Sequence, residues 1–239
     1  MEKYKNLHLW MILPLVIIQV GIFNFYWPKI TTTSWEFHIH YWLVTGWFIL
    51  MIIQPYLMEK GKASSHRTLG MIGFMIAGGI VFTSISLLDV PLKRAAAFDP
   101  SRPGPPLSFY YGTLVIELIL GLLYGLAVIQ AIRFRKHLNE HAWWMICSVF
   151  YLMMPALGRG MIVLWRALVP IEKLNPMMVA LSAELIFIPL LILYAVRFGK
   201  VKHPATIIGL LTVLLRLLRV PIGSSEAIQN FLDGLIKWN

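Results

Sequence analysis

Six apolar runs, at roughly 7–27, 35–57, 67–89, 109–132, 142–165 and 176–197, constrain this chain more than any other feature of it. At about 1.5 Å of rise per residue, a helix of some 20 residues crosses a hydrocarbon core about 30 Å thick, and each run is long enough. The apolar residues are continuous, where an amphipathic soluble helix would show stripes. Only 13% of the 239 residues are charged and 58% are hydrophobic, whereas a soluble domain carries about a quarter charged residues. The expectation is an all-α integral membrane protein, a six-transmembrane-helix bundle over 1–200 with a 201–239 tail. The spans and their short connections use the length, so no separate soluble domain is expected. The run after Met1-Glu2-Lys3-Tyr4-Lys5 continues through Trp27 without a small-residue cleavage site, and reads as a retained first helix.

The formal net charge is +10, but the cations sit at the ends of the runs and are not interleaved along one face. They therefore read as topology signals and headgroup contacts, and nucleic acid is not an expected partner. Lys3 and Lys5, then Lys60, Lys62 and Arg67, then Arg133, Arg135 and Lys136, then Arg197, Lys200 and Lys202 mark one side. On the other side Lys93, Arg94 and Arg102 are offset by Asp89 and Asp99. By the positive-inside rule both termini are expected in the cytoplasm, with the protein multi-pass in a bacterial inner (plasma) membrane. Trp27, Trp35, Trp42, Tyr110, Tyr111, Trp143, Trp144 and Trp165 fall near span ends, as an aromatic belt would.

Two segments stand outside this pattern. The stretch Asp99-Pro100-Ser101-Arg102-Pro103-Gly104-Pro105-Pro106 is too proline-rich for a helix and reads as the longest outer loop. Residues 205–220 are apolar except for Thr212, Arg216 and Arg219, which lie on one helical stripe. A seventh span would carry two arginines to the outer end against the charge rule. An amphipathic helix lying on the cytoplasmic face, followed by an amphipathic segment from Ser225 to Trp238, is the expectation.

Ionisable groups within spans are costly, so each is a candidate for function. Counting along the helices puts Glu117 and Glu184 about 12 Å, and His40 about 6 Å, below the outer boundary, with Arg159 close to it. His40 shares a helical stripe with Trp47, Met51 and Gln54. These four residues could form an outward-facing polar cavity for a small molecule or proton. They could equally be structural, with Arg159 paired to one glutamate, and a metal triad of His40 with the two acids lacks the usual short ligand spacing.

At the cytoplasmic side, His137 and His141 have the i, i+4 spacing of a metal-binding pair, or are simply solvated. His66 and His141 begin two different helices at matched depth, and opposed imidazoles can ligate one haem iron axially. On the His66 face come Gly70, Gly73 and Ala77, small enough for a helix or a flat macrocycle to approach. The competing reading is ordinary helix packing with His66-Arg67 on lipid phosphate. Cys147, the only cysteine, excludes an intrachain disulfide and a covalent c-type haem, and reads as a small buried hydrophobe. Phosphate-binding loops, nucleophile elbows and dinucleotide fingerprints do not occur.

Ser65-His66-Arg67-Thr68-Leu69-Gly70 and His141-Ala142-Trp143-Trp144-Met145, with Pro155 and Arg159 downstream, resemble a family of small bacterial polytopic membrane proteins. That family is described by a domain of unknown function. Its members open one helix with His-Arg-x-x-Gly and another with His-Arg-x-Trp-Met, and the second ends near a buried arginine. The resemblance covers about 35–165, and Ala142 stands here where the family has arginine. A looser likeness to the cytochrome b561 group rests on histidines on alternate helices, although the fourth span has none. The sequence thus leads to a membrane-embedded haem- or metal-binding redox-type protein, with haem b as cofactor and His66, His141 and Arg67 as cofactor-binding residues. The alternatives are the small-molecule or proton cavity, and an accessory subunit whose partners are other membrane-protein subunits besides membrane lipids.

Overall fold

The computed structural model describes residues 2–102 and 104–236, and these contain helices and no strand. The helices are α1 (Leu7–Trp10), α2 (Ile12–Tyr26), α3 (Trp35–Glu59), α4 (Ala63–Ser86) and α5 (Asp89–Ala96). They continue as α6 (Leu107–Arg133), α7 (Leu138–Leu168), α8 (Pro176–Arg197), α9 (Pro204–Leu217), α10 (Arg219–Gly223) and α11 (Glu226–Ile236). Six segments are long and apolar enough to cross a membrane, in the six places where the apolar runs lie. The chain is a multi-pass, all-α membrane bundle.

Local chemistry explains the breaks. Gly61 and Gly199 take positive φ (69° and 61°) just past α3 and α8, where a left-handed residue ends a helix at least steric cost. After α8 the Lys200 N–H reaches back to the Ala195 carbonyl at 2.7 Å and closes that cap. Asn175 and His203 cap α8 and α9 with their side chains, each followed by proline at the first helical position.

The long helix α7 is central, packed against α2, α3, α6, α8 and α9. Lipid tails are as apolar as a side chain, so close approach and van der Waals packing must hold such helices together. The α2–α7 crossing shows how: a Cβ on Gly21 would collide with the Ala156 carbonyl, and Gly160 touches Gly21 from one turn further.

The 201–239 segment departs from the expected surface tail; Trp238 lies outside the described residues. Helix α9 runs through the bundle against α6, α7 and α8. It starts where Lys200 and His203 hold Glu140 (2.5 and 2.7 Å) at the cation-rich end. It finishes at the opposite end, where Arg219 and Gly223 lie against Gly112 and Ser108 at the start of α6. Helix α11 then packs on α5 and α6, and Tyr111 donates to Asp233 at 2.6 Å. The first and last described helices therefore sit at opposite ends of the bundle, in place of the shared cytoplasmic side expected of them.

The same helix changes the aromatic belt. Trp35, Trp42 and Trp27 are exposed, as belt residues are. Trp143 and Trp144 are buried under α9: Trp143 donates to Thr206 at 3.0 Å, and Trp144 packs edge-on against His203.

Candidate functional site

A cavity of about 610 Å³ opens at the cation-rich end, between the N-terminal segment and helices α3, α4, α6 and α7. Its deeper wall is apolar, with Met11, Trp47, Met51, Gly73 and Met145 among the lining residues. Its polar end carries His66, His141, Gln54, Lys5 and Glu59. Helix geometry explains the composition: α4 enters the bundle at His66, and Gly70 and Gly73 follow on the same face at helical spacing. With no side chains of their own they line the cavity with bare backbone, and a Cβ added to Gly73 would reach Leu50 and Trp47 at 3.5 and 3.9 Å.

His66 and His141 face each other, with ring centres 6.3 Å apart and planes at 79°. Each is tethered on its other side. His141 Nδ1 lies 2.8 Å from the Ala131 carbonyl, which can only accept, so Nδ1 carries the hydrogen and Nε2 keeps its lone pair. His66 is held by Gln54, a polar residue only 9% exposed within α3. The amide satisfies its surroundings when its nitrogen donates to His66 Nδ1 and to the His66 carbonyl (3.2 Å) while its oxygen accepts from the Gly70 N–H (3.0 Å). A buried amide left unpaired would cost about 1–3 kcal/mol, so this orientation is strongly preferred.

The mouth is built by the first residues. Tyr4 stacks on Phe198 (5.3 Å, 7°) and donates to the Asn139 carbonyl at 3.2 Å. Burial, with the nearby Glu140 charge adding to it, pushes its phenol up to about 12, so it remains a donor at any physiological pH. Glu59 accepts from the Asn6 N–H (3.2 Å), and His8 Nδ1 lies 3.1 Å from the same carboxylate without hydrogen-bond geometry. Lys5 lines the mouth, whereas Arg67, the cation expected beside the cofactor, is exposed and lies outside the lining.

The other candidate sets are gathered less fully: His137 and His141 do not share a face, while the Arg159 charge reaches both Glu117 and His40 without a direct bond among them. His137 is the N-cap of α7 with φ −112° and ψ 89°, so the residue is not helical and the i, i+4 face it was expected to share with His141 is lost. Its ring lies against Phe134 and His141 turns toward His66. Among the described residues no three His, Cys, Asp or Glu side chains are grouped to hold a metal ion.

In the half of the bundle away from the cation-rich end, Glu184 is taken by Arg216, which binds both carboxylate oxygens at 2.5 and 2.7 Å, is supported by Thr212 at 2.9 Å and lies over the Phe187 ring at 4.8 Å. His40 pairs with Thr83 (2.9 Å), and Arg159 donates to the Pro155 carbonyl one turn back (3.0 Å). Glu117 lies where its charge reaches Arg159 and Arg219. No hydrogen bond or ion pair joins any two of His40, Glu117, Arg159 and Glu184 among the described residues. Sequence reasoning noted Arg216 on a surface stripe and Gln54 on the His40 stripe, and gave neither a role at a site. The signal for Arg216 was its spacing from Thr212 in an otherwise apolar run; that for Gln54 was a lone amide one turn after Met51.

Fold and site together define a polytopic helical membrane protein that encloses an apolar cavity with two opposed histidines at its polar end. Comparison with protein-family models, curated proteins and solved structures returns no match for the chain.

Proposed function

We propose that the protein binds one haem b in this cavity, with His66 and His141 as axial ligands, and serves as a one-electron redox protein of a bacterial plasma membrane. The observation that carries the reading is the pair of opposed imidazoles. Two imidazoles bound on opposite sides of one metal at about 2.0 Å each hold their ring centres roughly 6 Å apart, and here the centres are 6.3 Å apart. The cavity volume falls within the range of about 300–1,000 Å³ typical of enclosed ligands. A bare ion would need a third or fourth protein ligand, whereas haem brings its own equatorial nitrogens and asks for two.

The chain's own contributions are holding and tuning. The Ala131 carbonyl fixes the His141 ring and raises its basicity, and the Gln54 amide holds the His66 ring in place. Gly70 and Gly73 admit a flat ring against α4, and Trp47, Met51 and Met145 keep water away from it. Lys5 at the mouth offers a positive charge to carboxylates. Bound there, haem supplies reversible uptake of a single electron. The cation asymmetry of the helix ends supports a plasma-membrane setting.

Purification after expression with haem available tests this. The expected preparation has a Soret band and about one haem per chain by the pyridine haemochrome assay, both absent from the double variant His66→Ala/His141→Ala. A colourless wild-type protein, or a double variant that keeps its haem, contradicts the proposal.

A further inference from the structure

We infer that the two imidazoles are inequivalent: His141 is preset as a permanent metal ligand, while Gln54 holds His66 as a hydrogen-bond donor that becomes a ligand only when the Gln54 amide turns. This rests on the proposed haem site and adds the order and lability of its ligands.

The two tethers differ in kind. A carbonyl accepts and never donates, so the Ala131 contact at 2.8 Å leaves neutral His141 one tautomer, with the Nε2 lone pair free. Helix α7 carries the ring and α6 the carbonyl, and Ala131 and Ala142 are both buried, so the contact is rigid. A side-chain amide can donate or accept according to its rotation. In the orientation that also serves the His66 carbonyl and the Gly70 N–H, Gln54 donates to His66 Nδ1. The His66 proton then sits on Nε2. The free pair thus presents an acceptor (His141) and a donor (His66), a combination in which His66 cannot ligate a metal.

Ligation by His66 Nε2 requires the proton to move to Nδ1 and the Gln54 oxygen to turn toward it. That rotation gives up the Gly70 contact, so it opposes the His66 bond and leaves the His141 bond untouched. His66 would consequently be the exchangeable of the two residues that hold the group, the one a small neutral molecule such as carbon monoxide would displace.

Nitrogen-15 spectra of histidine-labelled, ligand-free protein, taken at a pH where both rings are neutral, read the tautomers without any haem. The expected result is opposite tautomers, Nδ1–H for His141 and Nε2–H for His66, with Gln54→Leu altering His66 alone. Identical tautomers in the wild type, or a His66 unaffected by Gln54→Leu, overturn the inference. With haem, His66→Ala should keep a five-coordinate, high-spin Soret band and bind carbon monoxide more tightly than wild type. His141→Ala should lose haem at least about tenfold more readily than His66→Ala. Equal loss in the two variants overturns the assignment of roles. Opposite tautomers in a protein without a Soret band support the Gln54 switch and overturn only the haem reading.

Discussion

Arg216 and Glu184 are 2% and 5% exposed, and their bidentate pair shows what an ionised group must find when it is carried into lipid. Removing one partner strands the other. Glu184→Gln or Arg216→Ala is expected to lower stability by about 3–5 kcal/mol, read as thermal unfolding in detergent. The double variant Glu184→Leu/Arg216→Met should recover most of that loss, because apolar side chains of similar volume leave no stranded charge. Single variants as stable as wild type would show that the pair is not desolvated. At this scale the sequence was partly legible. Glu184 stood out as a cost needing a partner, but its partner lies 32 positions away on a helix assigned to the surface. The depths of His66 and His141 were readable, because both are counted from helix starts whose flanking cations are plain. That the two rings turn toward each other was not readable, since rotation about a helix axis depends on neighbours the sequence does not name.

Among the elements, the α10–α6 contact has the least tolerance. Gly112 and Gly223 let backbone meet backbone: a Cβ on Gly112 would overlap the Arg219 carbonyl, and one on Gly223 the Ser108 carbonyl. Gly112→Ala is expected to destabilise by about 1–3 kcal/mol, since a helix start and a helix end would have to separate. Gly78, on α4, meets nothing within 4 Å, so Gly78→Ala should be neutral or up to about 1 kcal/mol stabilising. Thermal shifts of equal size for the two variants would contradict the close approach. The six long helices were legible as elements because apolar length is a strong signal. Helix α9 was not: at 14 residues it is short for a crossing, and its arginine stripe looked like a water-facing one. The stripe instead faces Glu184, and two tryptophans expected at the membrane surface lie buried beneath the same helix.

For the whole molecule, the course of α9 sets which groups face which side. Cysteines placed at Lys60 and Ser224, both exposed, should react with an impermeant maleimide from opposite faces of the membrane; the native Cys147 is fully buried. Ser224→Cys is expected to label in intact cells and Lys60→Cys only after permeabilisation. Labelling of both from one side would return the 201–236 segment to the cytoplasmic surface. Membrane class and cation asymmetry are properties of the whole chain and could be read directly. The enclosure of a cavity is also a property of the whole, but it arises from five segments converging and so needed the structure. The most direct test of what that cavity holds is a reduced-minus-oxidised difference spectrum of membranes carrying the protein. The account predicts the sharp visible bands of a low-spin, six-coordinate haem b, lost in His66→Ala/His141→Ala. A wild-type spectrum identical to that of membranes with the double variant would contradict it.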